Sequence, residues 1–154
     1  MGREIDDRLK ELGIELPPPP QPVASYVPVV ATGHLAYVAA QIPLVDGEMM
    51  HPGKVGAEVS VEQAQEAARR CALQALSALR DGLEGFDRLK RIVRLDVFVA
   101  SAPGFTDQPK VANGASDVLR EVMGEAGKHA RAAVGVAELP LGAPVEVVVT
   151  AEIA

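Results

Sequence analysis

Alternating apolar and polar positions mark the last segment of the chain as two short strands. Valine-rich runs span residues 132–137 and 145–153, and the prolines and glycine between them favour a chain reversal. In the second run Val145 and Val147 point one way, while Glu146 points the other. We therefore predict a β-hairpin with a wide loop, whose register is left open because the loop is too long to dictate it.

Two charged residues lie on this predicted hairpin at positions that a purely structural strand does not need. Arg131 opens the first strand, and Glu146 has a valine on both sides in the second. Arg131 shares its face with Ala133, Gly135 and Ala137, so a small ligand would have room against the backbone. Glu146 shares that face only in some registers, because a one-residue slip turns every side chain over.

The rest of the chain shows helical and strand periodicities in turn. Ser60 and Gln63 form a capping box, which indicates the start of a long helix. The order of elements predicts an α+β fold, in which a single mostly antiparallel sheet has two helices packed on one face. The predicted elements are a helix within residues 1–16, strands at 23–30, 35–40 and about 49–50, a helix at 60–83, a strand at 89–100, and a helix from 106–109 to about 125.

Proline divides the chain into an arm and one domain. Residues 1–21 are predicted to form the N-terminal helix and a polyproline connector, and residues 22–154 the domain. A length of 154 residues is that of a single domain, and 48% hydrophobic residues exclude a disordered chain. Since aromatic residues make up only 3%, the core must consist of alanine, valine, leucine and isoleucine.

Charge and cysteine content narrow the expected partners and location. A net charge of −6 argues against nucleic acid, because phosphate binding needs a basic surface. The single cysteine, Cys71, excludes an internal disulfide and fits the reducing cytoplasm, and its helical stripe of small residues predicts a buried, inert thiol. No stretch resembles a signal peptide or a membrane span, so we expect a cytoplasmic protein without a membrane partner. Histidine and cysteine are too scattered for a metal site.

One face of the predicted sheet is expected to contact a partner subunit. Val148, Ile92 and Phe98 are expected on the face that the helices leave uncovered. Such an apolar face is unfavourable in water, so a second copy of the chain should cover it.

Two motifs near opposite ends of the chain resemble the signature of the Rid/YjgF family, the reactive-intermediate deaminases also called L-PSP endoribonuclease-like proteins. The first comprises Ser25-Tyr26, Gly33-His34-Leu35 and Gln41-Ile42-Pro43-Leu44, and the second comprises Ala130-Arg131-Ala132-Ala133-Val134, Leu139 and Val145-Glu146. The resemblance runs from about residue 22 to the end. Ala40 stands where many members have glycine, Ala133 where many have cysteine, and His129 where proline or alanine is usual. These departures and the extra N-terminal helix suggest a side branch.

The resemblance implies a chorismate-mutase-like fold and a homotrimer with a cleft at each subunit boundary. In the family, the arginine matching Arg131 grips the carboxylate of a small substrate through two parallel hydrogen bonds. The glutamate matching Glu146 positions and polarises the attacking water. Tyr26 is expected to complete the cleft with Arg131 of a neighbouring subunit. The further substrate-binding candidates are Ala40, Ala133 and Asn113.

The implied reaction is the hydrolytic deamination of small enamines and imines derived from amino acids, such as 2-aminoacrylate, to 2-keto acids and ammonia. It needs no metal or organic cofactor. An alternative hypothesis is a regulatory or ligand-binding protein that uses the same cleft without turnover, and the sequence does not separate the two. A third, a ribonuclease, is disfavoured by the acidic balance and the lack of a basic cluster around aromatic residues.

Overall fold

A five-stranded sheet organises the fold in the computed structural model, which describes residues 2–22 and 24–154. The strand order is β1-β2-β7-β5-β6, and only the pair β5 and β6 is parallel. A separate ribbon pairs β3 with β4. The predicted α+β architecture is therefore confirmed. The elements are α1 (Gly2–Glu11), β1 (Val29–Thr32), β2 (Leu35–Val38), β3 (Leu44–Val45), β4 (Glu48–Met49), α2 (Val61–Gly82), β5 (Leu89–Ala100), α3 (Gln108–Met123), β6 (Ala130–Val136) and β7 (Val145–Ile153).

The alternation of buried and half-buried residues in β7 shows which face of the sheet the helices cover. In β7 every second residue from Val145 to Ile153 is buried, and the residues between them are half-buried. We call the first side the helix face and the second the open face. Helices α2 and α3 supply the layer over the helix face, since both contact the sheet and each other.

Small side chains bring the helices close together and close to the sheet. The capping box of Ser60 and Gln63 is present at the start of α2, as predicted. Gly114 of α3 lies against the carbonyl oxygen of Gln65 in α2, where an added Cβ would overlap that oxygen. Cys71 is fully buried, and burial raises the pKa of its thiol well above the ordinary value, which agrees with an inert structural cysteine. In the described part of the chain, no helix has both the length and the apolarity that a bilayer crossing requires.

The N-terminal arm packs on the rest of the molecule. Ile5 and Leu9 of α1 are buried, and Arg8 Nε donates a 2.9 Å hydrogen bond to the carbonyl oxygen of Glu121 in α3. The connector is tied to α2, because Ser77 Oγ donates to the carbonyl oxygen of Pro17 over 2.6 Å. The division between arm and domain at residues 21 and 22 stays a prediction.

The predicted hairpin at the end of the chain is wrong. Strand β6 pairs in parallel with β5, and β7 pairs with β5 on its other side, so β5 lies between the two strands. The physical reason is the helix that joins β5 to β6, because a parallel pair needs such a crossover. The Pro/Gly-rich connection at 137–144 then carries the chain across β5, with Leu141 in a left-handed conformation at φ 58°.

Two other expectations about strands need correction. The first strand begins at Val29, beyond Pro28, and the earlier part of the predicted run at 24–28 is irregular, with Val23 outside the described residues. Ile92 is buried on the helix face opposite Ala151, whereas it was expected on the open face. An irregularity in pairing between residues 92 and 94 shifts the alternation there, which a simple two-residue period cannot anticipate.

Candidate functional site

Helix α3 presents a polar stripe to the start of β6. Pro109, Asn113 and Ser116 follow one another at spacings of four and three residues, which places them on one side of a helix. Arg131 is paired with Leu95 of β5, which is paired in turn with Val149 of β7. Because Val149 is on the helix face, the Arg131 side chain starts from that face and extends toward this stripe.

The guanidinium of Arg131 is held by three hydrogen bonds that it donates to this stripe. Nη1 donates to Asn113 Oδ1 over 2.8 Å and to Ser116 Oγ over 3.1 Å, and Nη2 donates to the carbonyl oxygen of Pro109 over 3.3 Å. A guanidinium has five N–H donors, so two remain, one on Nε and one on Nη2. Among residues 2–22 and 24–154, no acceptor takes these two and no carboxylate forms an ion pair with Arg131. The exposed group can therefore receive an anion with two oxygens.

Two side chains border the predicted ligand floor beside Arg131. A Cβ on Gly135 would lie 2.7 Å from Gln108 Nε2 and 2.9 Å from Ser101 Oγ, so these side chains lie close to the backbone there. Ala133 is half-buried and packs against the core. Gln108 and Ser101 therefore narrow the floor at Gly135, while Gly135 and Ala137 stay exposed, so the predicted ligand room along this face remains a prediction.

Glu146 lies on the open face, opposite to the face of Arg131. Glu146 is paired with Phe98 of β5, and Phe98 is paired with Val134 of β6. Its side chain is half-buried, and burial raises the pKa of its carboxyl above the ordinary value. Strand β5 lies between the strands that carry Arg131 and Glu146, and the two side chains point to opposite faces of the sheet. Arg131 and Glu146 therefore do not form one site within a chain.

Tyr26 and Ala40 meet at a third place. Both line a cavity of about 200 Å³ under the polyproline connector. Tyr26 is 49% exposed at this cavity. The wall is largely apolar, and its other members include Pro20, Ile42, Leu44 and Leu141.

A buried pair of glutamines braces the wall of that cavity. Gln74 Nε2 donates to Gln41 Oε1 over 3.2 Å and to the carbonyl oxygen of Ile42 over 2.8 Å. Gln74 Oε1 accepts from the backbone N–H of Leu44 over 3.1 Å and from Arg70 Nε over 3.2 Å. These bonds use the polar atoms of Gln74 internally, so they hold the segment that carries Ala40 in place.

Of the residues predicted for the site, the structure brings together Arg131 with Asn113, and Tyr26 with Ala40. Glu146 lies away from both pairs, and Ala133 shares the face of Arg131 but packs against the core. Sequence reasoning missed Ser116, the carbonyl of Pro109, and Gln74. A signal for Ser116 was present, since a serine there interrupts the apolar side of α3 and lies seven residues beyond Pro109.

Comparison with known proteins agrees with the motifs and the fold. Residues 6–153 match the family model described as "YjgF/chorismate_mutase-like, putative endoribonuclease". Protein TCP17 of Trypanosoma cruzi is 49% identical over 140 residues, which cover 90% of this chain and 88% of that protein.

Two crystal structures share the whole fold. Atu1372 of Agrobacterium tumefaciens, a protein of unknown function, is 43% identical at a TM-score of 0.91, with 99% of this chain and 94% of that chain covered. A "putative endoribonuclease" of Shewanella oneidensis is 30% identical at a TM-score of 0.91, with 96% and 98% covered. The chain therefore belongs to the YjgF/chorismate-mutase-like family, whose members include the Rid proteins.

Proposed function

We propose that the protein hydrolyses small enamines and imines derived from amino acids, such as 2-aminoacrylate, to 2-keto acids and ammonia. The observation that carries the proposal is the guanidinium of Arg131, which is fixed by three hydrogen bonds yet keeps two donors free at an exposed edge. A carboxylate on the substrate matches these donors in charge and geometry.

Glu146 is proposed as the catalytic carboxylate. An enamine first becomes the imine, as its terminal carbon takes a proton from solvent and its nitrogen loses one to solvent. Water then attacks the imine carbon and gives one proton to Glu146, while the electron pair of the C=N bond moves to nitrogen, which takes up a proton from solvent. The resulting carbinolamine gives its hydroxyl proton to solvent as the C–N bond breaks, and the nitrogen leaves as ammonia with the proton that Glu146 returns. A carboxyl whose pKa is raised by burial suits both the accepting and the returning step.

This chemistry requires more than one copy of the chain, since Arg131 and Glu146 lie on opposite faces of one sheet. We propose a homotrimer with its clefts at the subunit boundaries, where Arg131 of one subunit meets Glu146 and Tyr26 of its neighbour. The open face supports such an assembly, because Val30, Tyr37 and Val134 are each about half exposed on it. An apolar face of this kind is typical of a surface that another subunit covers.

A cytoplasmic location and a small-molecule partner belong to the same proposal. Ribonuclease activity, which the name of the Shewanella protein suggests for that protein, has less support here. The chain carries a net charge of −6, and a nucleic-acid site would need a basic surface.

The test is release of ammonia and 2-keto acid from 2-aminoacrylate generated in situ, with Arg131→Ala as the comparison. The wild-type protein is expected to accelerate release, and Arg131→Ala to lose most of that acceleration. Binding of a keto acid without any acceleration would instead support the ligand-binding alternative.

A further inference from the structure

A serine in an apolar setting stands behind Arg131. Ser116 is only 8% exposed, and its neighbours Ala112 and Leu119 on the same side of α3 are buried. A hydroxyl in such a place needs hydrogen-bond partners. Ser116 Oγ has two, since it accepts from Arg131 Nη1 over 3.1 Å and lies 2.9 Å from His129 Nε2.

The direction of each hydrogen bond in this group follows from the last acceptor. His129 Nδ1 lies 2.7 Å from the carbonyl oxygen of Gly127, which can only accept, so Nδ1 carries the proton. In a neutral imidazole Nε2 is then bare and accepts the hydroxyl proton of Ser116. The hydrogen bonds run in one direction from Arg131 through Ser116 and His129 to Gly127, and each of these three bonds has one donor and one acceptor.

The far end of this series is a fixed piece of backbone. Gly127 is buried, and a Cβ there would overlap the carbonyl oxygen of Leu119 and come within 3.0 Å of Arg120 Cα. Because the glycine is packed this closely against α3, the carbonyl that receives the His129 proton has little freedom to move. The position of Ser116 Oγ is thereby tied to the backbone at two points, through α3 and through His129.

We propose that Ser116 and His129 are positioning residues that hold the Arg131 guanidinium with its two free donors outward, ready for a carboxylate. The inference rests on the proposed function for the identity of that carboxylate. Asn113 accepts from Nη1 and the carbonyl of Pro109 accepts from Nη2, and Ser116 adds a second contact to Nη1, which stops the guanidinium from turning about the other two contacts. His129 acts through Ser116 and does not touch the substrate.

Binding of pyruvate, measured by titration calorimetry, tests the role without turnover. Ser116→Ala is expected to weaken pyruvate binding about tenfold, the size expected for one hydrogen bond to a charged group. Ser116→Thr keeps the hydroxyl and is expected to restore most of the affinity. His129→Ala is expected to weaken binding less than Ser116→Ala, since the contact to Arg131 survives without its anchor. Val118→Ala, which removes buried volume from the same helix, controls for general loss of stability.

The state of the imidazole gives a second, independent readout. Nitrogen-15 NMR of the wild-type protein, recorded at a pH where the imidazole is neutral, is expected to show the ring proton of His129 on Nδ1, which is the less common tautomer of free histidine. A proton on Nε2 instead would overturn the proposed series of hydrogen bonds.

The outcomes separate this inference from the proposed function. Weaker pyruvate binding by Ser116→Ala, with rescue by Ser116→Thr, supports the positioning role even if no imine is hydrolysed, and such a result rejects only the deaminase reaction. An affinity unchanged in Ser116→Ala, an equal loss in Val118→Ala, or no pyruvate binding by the wild type overturns the positioning role.

Discussion

Arg131 and Glu146 occupy opposite kinds of surroundings. Arg131 is exposed, yet three hydrogen bonds from α3 fix its guanidinium. Glu146 is half-buried beside Phe98, on a sheet face that none of the helices in the described part of the chain covers, and burial raises the pKa of its carboxyl. The orientation of the Arg131 side chain is thus fixed by residues of its own chain. Within residues 2–22 and 24–154 the Glu146 side chain has no hydrogen-bond partner, and in the proposed assembly a neighbouring subunit completes this half of the site.

The largest expected effect comes from breaking the proposed assembly. Val134 is 46% exposed on the open face, and Val134→Asp would place a charge in the subunit boundary. We expect light scattering to show a trimer for the wild type and a monomer for Val134→Asp, with nearly all deaminase activity lost. Ala57→Asp, in an exposed turn, serves as the control and should remain trimeric. A wild-type monomer at micromolar concentration would contradict the assembly.

Removing the proposed base should have the next largest effect. Glu146→Gln is expected to lower kcat by roughly 10²- to 10⁴-fold, the range typical of general acid–base catalysis. Because burial raises the pKa of Glu146, wild-type kcat/KM should fall on acidification at a higher pH than an exposed glutamate would produce. A pH–rate profile measures this acid limb, which should be absent from the residual activity of Glu146→Gln.

A conservative change at the carboxylate-binding residue should have a smaller effect. Arg131→Lys keeps the positive charge but cannot offer two parallel N–H donors, so kcat/KM should fall about 30-fold, at the low end for a broken charged pair. Steady-state kinetics on a carboxylated imine checks this. An unchanged rate would mean that Arg131 does not clamp the carboxylate.

The smallest expected effect is on stability, and it has the opposite sign to the effect on activity. Folding raises the pKa of the Glu146 carboxyl, so the protonated carboxyl favours the folded chain. This contribution to the free energy of unfolding is lost as the pH rises from the pKa of the carboxyl in the unfolded chain to its higher pKa in the folded chain. Glu146→Gln removes the buried charge, so it should be slightly more stable than the wild type at neutral pH. The difference should vanish in acid. Denaturant unfolding at several pH values measures it.

Patterns within a few residues of the sequence correctly predicted the features that depend on neighbouring residues alone. The alternation of β7 correctly gave the buried side of that strand, and Ser60 with Gln63 marked the start of α2. Both features depend on residues only a few positions apart. The polar position of Glu146 within β7 followed from the same alternation.

Pairing between strands was harder, because it depends on distant parts of the chain. The two last strands looked like a hairpin, although the helix between β5 and β6 indicates a parallel crossover that leaves β7 free to pair elsewhere. This error concerned the site directly, since a hairpin allowed Arg131 and Glu146 to share a face. Ile92 was misplaced because the pairing irregularity beside it interrupts the two-residue period.

The central claim is that Arg131 and Glu146 of different subunits form one site, and subunit mixing tests it most directly. Arg131→Ala and Glu146→Gln proteins, each of low activity alone, are unfolded together, refolded as mixed trimers and assayed for ammonia release. Random mixing should restore about a quarter of the clefts, because each cleft needs an intact arginine from one protein and an intact glutamate from the other. Activity near that fraction of the wild-type rate is predicted. No recovery after verified exchange of subunits would contradict the shared site.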